Sequence, residues 1–133
     1  MKKSVLVAAM SAIVLTACAS NVLDARTIDP ENPGVFVVDD KYIVVDQEPI
    51  YFPKAKKNVK ITWQLPSDSK YRFPKDGIVI KDAGDEFPDC HPEQNGLRFA
   101  CMNKHYKPGT YKYTIKVEGP STVPPLDPIV LND

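Results

Sequence analysis

The stretch NVKITWQL, residues 58–65, carries the clearest strand pattern in the chain. Its apolar and polar residues alternate, and a period of two is typical of a β-strand with one buried face and one solvated face. The predicted buried face consists of Val59, Ile61, Trp63 and Leu65, and the predicted solvated face consists of Lys60, Thr62 and Gln64. We therefore expect a half-buried strand with Trp63 at the centre of the core.

The same alternation returns near the other end of the chain in TYKYTIKV, residues 110–117. Around these two segments lie six shorter runs that are rich in branched and aromatic residues and bounded by turn residues. They are VFVV (35–38), YIVV (42–45), PIYF (49–52), GIVI (77–80), LRFACM (97–102) and DPIVL (127–131). Each of these runs is a candidate strand.

The spacing of these runs predicts the fold class. The 13 prolines disfavour any long helix, because each removes a hydrogen-bond donor and restricts the residue before it. Short strands separated by turns predict an all-β fold, an antiparallel immunoglobulin-like β-sandwich of about seven to eight strands, with a small barrel as the alternative. Tyr111 follows the turn KPGT, the position at which a sandwich of this type carries its tyrosine corner.

A segment rich in cysteine and histidine, DCHPEQNGLRFACMNKHY, occupies residues 89–106. Its Asn-Gly pair at 95–96 is the strongest two-residue hairpin signal, because both central positions of a type I′ turn need a positive φ angle. A hairpin centred there places Cys90 opposite Cys101, at a separation that a disulfide can bridge. Pro92 lacks the N–H that a strand ladder needs, so we expect an edge or an irregular approach at 90–92. The sequence therefore predicts a Cys90–Cys101 disulfide.

The same segment offers two alternative metal sites. Copper prefers soft sulfur and imidazole ligands, and the available set is His91, Cys101, Met102 and His105. Zinc would take Cys90 in place of Met102, although adjacent Cys and His side chains rarely reach one tetrahedral centre. We expect the disulfide, and no metal or other cofactor.

An acidic stretch, KDAGDEFPD at 81–89, is a further candidate for metal binding. Ca²⁺ accepts carboxylate oxygens in flexible arrangements, and the carboxylates here belong to Asp82, Asp85, Glu86 and Asp89. The spacing is not that of an EF-hand loop, and acidic loops are usually only solvated. We therefore expect a solvated loop.

The first residues of the chain have the pattern of an export signal. A basic start precedes the apolar run at 5–15, which has the length of a signal-peptide core and is too short to span a bilayer as a helix. The run ends in LTAC, which resembles the bacterial lipobox, and this resemblance implies cleavage before Cys18 and acylation of its thiol. In such lipoproteins an aspartate after the cysteine commonly causes retention in the inner membrane, and the residue here is Ala19.

These observations predict a signal peptide at 1–17, a lipidated tether at 18–34 and a sandwich domain at 35–133. We expect the outer membrane as the location, with the domain facing the periplasm and surface display as the alternative. Removal of the signal peptide takes away two of the 17 basic residues and none of the 17 acidic residues, which leaves a nearly neutral chain. A nucleic-acid binder would need a clear basic excess, so we expect no nucleic-acid partner.

The chain contains the segments ITWQLPSDSKYRFPKDGIVI (61–80), GTYKYTIKV (109–117) and LDPIVLND (126–133). Over about residues 60 to 132, these segments resemble a group of small bacterial sandwich proteins labelled DP-EP. The group is uncharacterised, so the resemblance implies a fold and no known activity.

The sequence contains no recognisable catalytic arrangement. Its serines at 67, 69 and 121 lie in turns outside a G-x-S-x-G context, and neither histidine stands in a nucleophile motif. We expect a non-enzymatic envelope lipoprotein that acts as a protein-binding or structural module and has another envelope protein as its partner. The alternatives are a periplasmic copper-binding protein and a surface adhesin or inhibitor.

Overall fold

A computed structural model describes residues 28–133, and this part of the chain forms nine β-strands, with a tight turn at Gln94–Gly96. The strands are β1 (Val35–Val38), β2 (Tyr42–Val45), β3 (Ile50–Phe52), β4 (Val59–Gln64), β5 (Ile78–Ile80), β6 (His91–Glu93), β7 (Arg98–Asn103), β8 (Gly109–Ile115) and β9 (Ile129–Asn132). All eight strands predicted from the sequence are present, and β6 is the additional one. The all-β prediction is confirmed.

The strands form a sandwich and not a barrel. One sheet has four strands in the order β3-β9-β8-β5, the other has three in the order β4-β7-β6, and β1 and β2 pair as a separate two-stranded ribbon. The prediction of an antiparallel architecture holds for every strand pair except one. β3 runs parallel to β9, with Ile50 opposite Val130, because it reaches the sheet through a crossover and not through a hairpin.

The core lies between the two sheets. Trp63 on β4 is fully buried, and its ring packs against Tyr113 on β8 with centroids 5.4 Å apart. Phe99 on β7 packs edge-on against Phe73 at 6.0 Å. The central position predicted for Trp63 is therefore confirmed, and burial of these aromatic rings provides a large share of the hydrophobic stabilisation.

The segment before β1 lies along the open edge of β4. The N–H of Thr62 donates to the main-chain oxygen of Glu31 at 2.8 Å, and the N–H of Gln64 donates to that of Pro33 at 3.0 Å. Pro33 is fully buried and Thr62 is nearly so, which differs from the solvated position predicted for Thr62. Part of the segment predicted as a tether, Glu31 to Pro33, is therefore hydrogen-bonded to the edge of β4.

The hairpin around Asn95 has the predicted register. Asn95 has φ 54° and Gly96 has φ 81°, and the N–H of Leu97 donates to the main-chain oxygen of Gln94 at 3.1 Å, as a type I′ turn requires. Pro92 lies opposite Phe99, and β6 is the edge strand of its sheet, as expected from the missing proline donor.

Tyr111 forms the predicted tyrosine corner. Its hydroxyl donates to the main-chain oxygen of Lys107, four residues upstream, at 2.8 Å. Its ring meets Phe87 edge-on at 5.1 Å. The contact fixes the turn that leads into β8 against the rest of the sandwich.

Candidate interaction surface

The predicted lipid attachment site, Cys18, lies outside the described residues. Within residues 28–133, no helix is long and apolar enough to cross a bilayer. Acylation of Cys18 therefore stays a prediction from the sequence.

The structure joins Cys90 and Cys101 by a disulfide. Their Cα atoms are 4.2 Å apart, and the bond connects the approach to β6 with the middle of β7. The disulfide predicted from the hairpin register is thus present, and it ties down an edge strand of only three residues.

The residues predicted as alternative metal ligands do not form one ligand set: His91, Cys101 and Met102 line one concavity, and His105 lies apart from it. The sulfur of Cys101 is in the disulfide, and the side chain of His91 is at the surface, where its Nε2 lies 3.2 Å from a carboxylate oxygen of Glu93. His105 is buried elsewhere, and its two ring nitrogens meet the main-chain oxygens of Lys56 and Asp133. Among residues 28–133, no group of three or more His, Cys, Asp or Glu side chains is arranged to hold a metal ion.

The acidic stretch at 81–89 likewise forms no cluster. Glu86 is buried, and its Oε2 accepts hydrogen bonds from the N–H groups of Tyr106 and Lys107 at 2.9 and 3.2 Å. The carboxylate of Asp85 lies 3.6 Å from Lys104 Nζ at the surface. Glu86 therefore holds the turn before β8 in place, and the four carboxylates do not converge on a cation.

The most unusual surface of the described domain is the outward side of the β1–β2 ribbon. Phe36 pairs with Val44 and Val38 pairs with Tyr42, so these four side chains project from the same side of the ribbon. They are between 37% and 62% exposed and make up half of the large exposed hydrophobic residues found in 28–133. We call these four residues the outer ribbon face.

Strands β4 and β8 present polar residues to solvent. The outward side of β8 carries Lys112 and Thr114, and that of β4 carries Lys60 and Gln64. The ribbon instead has apolar residues on both sides, since the opposite side, which includes Val35 and Ile43, is packed into the core. Strands that are apolar on both sides are typical of sheets covered on both faces.

A groove of about 300 Å³ runs beside β1. Phe36 lines it together with three acidic residues, Asp39, Asp40 and Asp68. Among the described lining residues, Lys70 is the one basic residue. Its remaining lining residues are Val37, Pro66, Ser69 and Tyr71. We call it the β1-side groove.

One carboxylate of this groove is held in place by a tyrosine. The Tyr71 hydroxyl donates to Asp40 Oδ1 at 2.6 Å, and this hydrogen bond, reinforced by burial, raises the pKa of Tyr71. The bond connects the tip of the ribbon with the segment that follows β4. It therefore fixes the position of the ribbon relative to the sandwich.

A second groove, of about 330 Å³, runs beside β2. Val44 lines it with Glu48, Leu126, Asp127 and Pro128, together with Ile43 and Val45. We call it the β2-side groove. The Thr114 hydroxyl donates to Asp127 at 2.6 Å, and this hydrogen bond, assisted by the charge of Lys81, lowers the pKa of Asp127 and keeps it ionised.

A third concavity, of about 440 Å³, lies over the disulfide and is lined by Lys60, Cys90, His91 and Met102 among others. Its lysine, Lys60, is paired with a carboxylate. Lys60 Nζ contacts Glu93 Oε1 at 2.8 Å, and this ion pair lowers the pKa of Glu93. The concavity is also lined by Asp89, and its lysine is already paired, so it presents no free cation from its described lining residues to an anionic ligand.

The outer ribbon face was not identified from the sequence. VFVV and YIVV predict strands, but they lack the alternation that tells a buried side from an exposed one. A continuous apolar run is equally compatible with a strand covered on both sides. The signal in the sequence is only the pairing of two such runs across a short polar turn.

No protein-family model matches the chain, and comparison with curated proteins gives no match.

Proposed function

We propose that the protein is a lipid-anchored component of the bacterial cell envelope whose β-sandwich binds another envelope protein and has no catalytic activity. The outer ribbon face is the observation that carries this proposal. Clustered apolar residues at this level of exposure are typical of interaction sites, and aromatic residues such as Phe36 and Tyr42 are enriched there. A sandwich by itself specifies no activity, so the proposal rests on this surface and not on the fold.

The anchor in this proposal is an acylated Cys18. Several acyl chains would hold the domain at the membrane essentially permanently, since each buried methylene contributes about 0.8 kcal/mol. Ala19 after the cysteine supports the outer membrane, with the domain facing the periplasm. The ribbon would then be available to proteins of the periplasm or of the membrane itself.

Metabolic labelling tests the anchor. Cells that express the full chain are grown with an alkyne-tagged fatty acid, and we expect label on the wild-type protein and none on Cys18→Ala. A Cys90→Ala/Cys101→Ala variant is the matched control and should keep its label. An unlabelled wild-type chain, or label that persists in Cys18→Ala, would contradict the anchor. Protease treatment of intact cells then distinguishes a protected periplasmic domain from one displayed at the surface.

Chemical crosslinking in cells, followed by mass spectrometry, tests the binding function. We expect a reproducible neighbour of the wild-type chain that is lost in Phe36→Thr/Val44→Thr. The matched control is Val79→Thr, which changes an equally exposed valine on β5. If no reproducible neighbour is found, the binding function is wrong.

A further inference from the structure

The charges that surround the outer ribbon face indicate what kind of partner it fits. We infer that this face receives a partner segment in which apolar side chains are flanked by lysine or arginine. The inference rests on the proposed binding function and deepens it by naming the chemistry of the partner. It follows from the grooves on the two sides of the ribbon.

Both grooves are acidic next to their apolar residue. In the β1-side groove, Phe36 lies beside the carboxylates of Asp39, Asp40 and Asp68. All three are at exposed positions, and Lys70 is the basic residue among the described lining residues. A cation that entered this groove would therefore find more negative than positive charge close to the aromatic ring.

The β2-side groove repeats the arrangement on the other flank. Val44 lies beside Glu48 and Asp127 there, and no basic residue is among the described residues that line it. Lys81 Nζ approaches Asp127 to 3.5 Å from outside and compensates part of one charge. Glu48 is exposed and accepts the N–H of Ile129 at 3.3 Å, and within residues 28–133 it forms no ion pair with a lysine or arginine.

The acidic flanks decide between three possible occupants. A bilayer rich in anionic lipid would be repelled by carboxylates on both sides of the apolar strip. A second copy of this chain, packed ribbon to ribbon, would bring acidic flanks close to one another, and like charges across an interface are unfavourable. A segment with lysine or arginine on either side of apolar residues covers the strip and neutralises both flanks.

Site-specific photocrosslinking of the full chain in cells tests the inference. A benzophenone amino acid replaces Tyr42 on the outer ribbon face, and in the control it replaces Tyr106, a tyrosine of similar exposure near β8 (62% against 60%). We expect an adduct from position 42 and not from position 106. Mass spectrometry of the adduct should identify a protein segment with apolar residues between lysines or arginines.

Removal of the acidic flanks tests the electrostatic part separately. Asp39→Asn, Glu48→Gln and Asp68→Asn remove charge from both grooves without changing side-chain shape. Asparagine is also tolerated at the positive φ of position 39. In this triple variant we expect the yield of the adduct from position 42 to fall about tenfold. The control is Asp82→Asn/Asp85→Asn, which removes aspartates from another loop. One of them, Asp82, also has a positive φ. This variant should leave the yield of the adduct unchanged.

Several results would overturn the inference. They are an adduct with a second copy of the chain, an adduct with lipid, a partner segment with acidic flanks, no adduct above the position-106 background, and a yield unaffected by the triple variant. If whole-surface chemical crosslinking still finds a reproducible neighbour, the binding function stands and only the ribbon assignment fails. If neither method finds a neighbour, both fail.

Discussion

Asn103 and Asn132 connect the two sheets through their side-chain amides. Both are buried, and each amide nitrogen donates to the oxygen of the other, at 2.9 and 3.0 Å. Asn103 belongs to β7 of the three-stranded sheet, and Asn132 belongs to β9 of the four-stranded sheet. Because each amide satisfies the other, the pair can be buried without leaving a donor or acceptor unpaired between them.

Asn103→Ala should therefore lower the free energy of unfolding by about 2 to 3 kcal/mol, because it leaves the amide of Asn132 buried without a partner. The double variant Asn103→Leu/Asn132→Leu removes both polar groups and should cost less than the sum of the two single leucine variants, by about 1 kcal/mol or more. Urea denaturation at pH 7 measures all of these. Additive losses would show that the two amides do not depend on each other.

The turn between β6 and β7 depends on glycine at position 96. Its φ of 81° is in the left-handed region, and a Cβ there would lie 2.8 Å from the main-chain oxygen of Phe73. Gly84 also has a positive φ, 56°, but a Cβ there would meet no atom within 4 Å. The two glycines thus differ in their surroundings and share a backbone conformation that favours glycine.

Gly96→Ala should lower the free energy of unfolding by about 2 to 4 kcal/mol, since it adds a backbone collision to the conformational penalty. Gly84→Ala is the matched control and should cost about 1 kcal/mol from the penalty alone. Thermal unfolding of both variants gives the comparison. Equal losses of stability in the two variants would mean that the main chain at Phe73 moves away from the new Cβ at no cost in free energy.

The disulfide should stabilise the sandwich. It holds β6, which has few ladder hydrogen bonds of its own because it is short and lies at the edge of its sheet. A bond across a sequence separation of 11 lowers the conformational entropy of the unfolded chain. In the chain-entropy model this raises the free energy of unfolding by about 3 kcal/mol. We expect reduction to lower the stability of the wild type by about that amount. Cys90→Ala/Cys101→Ala should show a similar loss and no response to reductant. If reduction leaves the free energy of unfolding of the wild type unchanged, β6 is held by packing and hydrogen bonds alone.

The elements that could be predicted from the sequence are those whose information is local. Alternation predicted β4 and β8, and the Asn-Gly pair predicted the hairpin register and the disulfide. β6 could not be predicted as a regular strand, because it has three residues and contains Pro92. Residues 29–34 have no strand periodicity, and their place beside β4 depends on hydrogen bonds that form only in the folded chain.

The candidate site could be predicted from the sequence only in part. The exposure of Phe36 and Tyr42 is a property of the assembled domain, since it depends on which side of the ribbon the core covers. Asp68 and Asp127 are separated in sequence from the ribbon that they flank, and folding brings them beside it. No pattern along the chain marks these groupings in advance.

At the scale of the whole molecule, three surface carboxylates make stability fall at low pH. Hydrogen bonds from Lys116, Lys60 and Thr114 lower the pKa of Asp76, Glu93 and Asp127, respectively, with neighbouring lysine charges adding to the effect. Their contribution is complete above the ordinary carboxyl pKa and is lost as the pH falls through the lowered values. We expect a modest decline in stability below about pH 4 that shrinks in 0.5 M salt, because exposed ion pairs are screened. A decline that is insensitive to salt would point to buried groups instead.

At high pH the group that limits stability should be Tyr113. Its ring is fully buried against Trp63, and within residues 28–133 its hydroxyl has no hydrogen-bond partner. Burial raises the pKa of Tyr113; the neighbouring indole of Trp63 offsets part of this increase, and the negative charges of Glu48 and Asp46 add to it. Above about pH 10 the unfolded chain can release this proton and the folded chain cannot, so stability falls as the pH rises further.

Tyr113→Phe separates this effect from the rest of the molecule. At pH 7 it should change the free energy of unfolding by less than about 1 kcal/mol, because it removes a buried hydroxyl that has no partner and keeps the ring. Between pH 9 and 11 the decline in stability should be shallower than in the wild type, as measured by urea denaturation at each pH. Tyr42→Phe, which changes an exposed tyrosine, is the control and should keep the wild-type slope. If Tyr113→Phe declines as steeply as the wild type, alkaline unfolding begins with other groups, and the core opens before Tyr113 ionises.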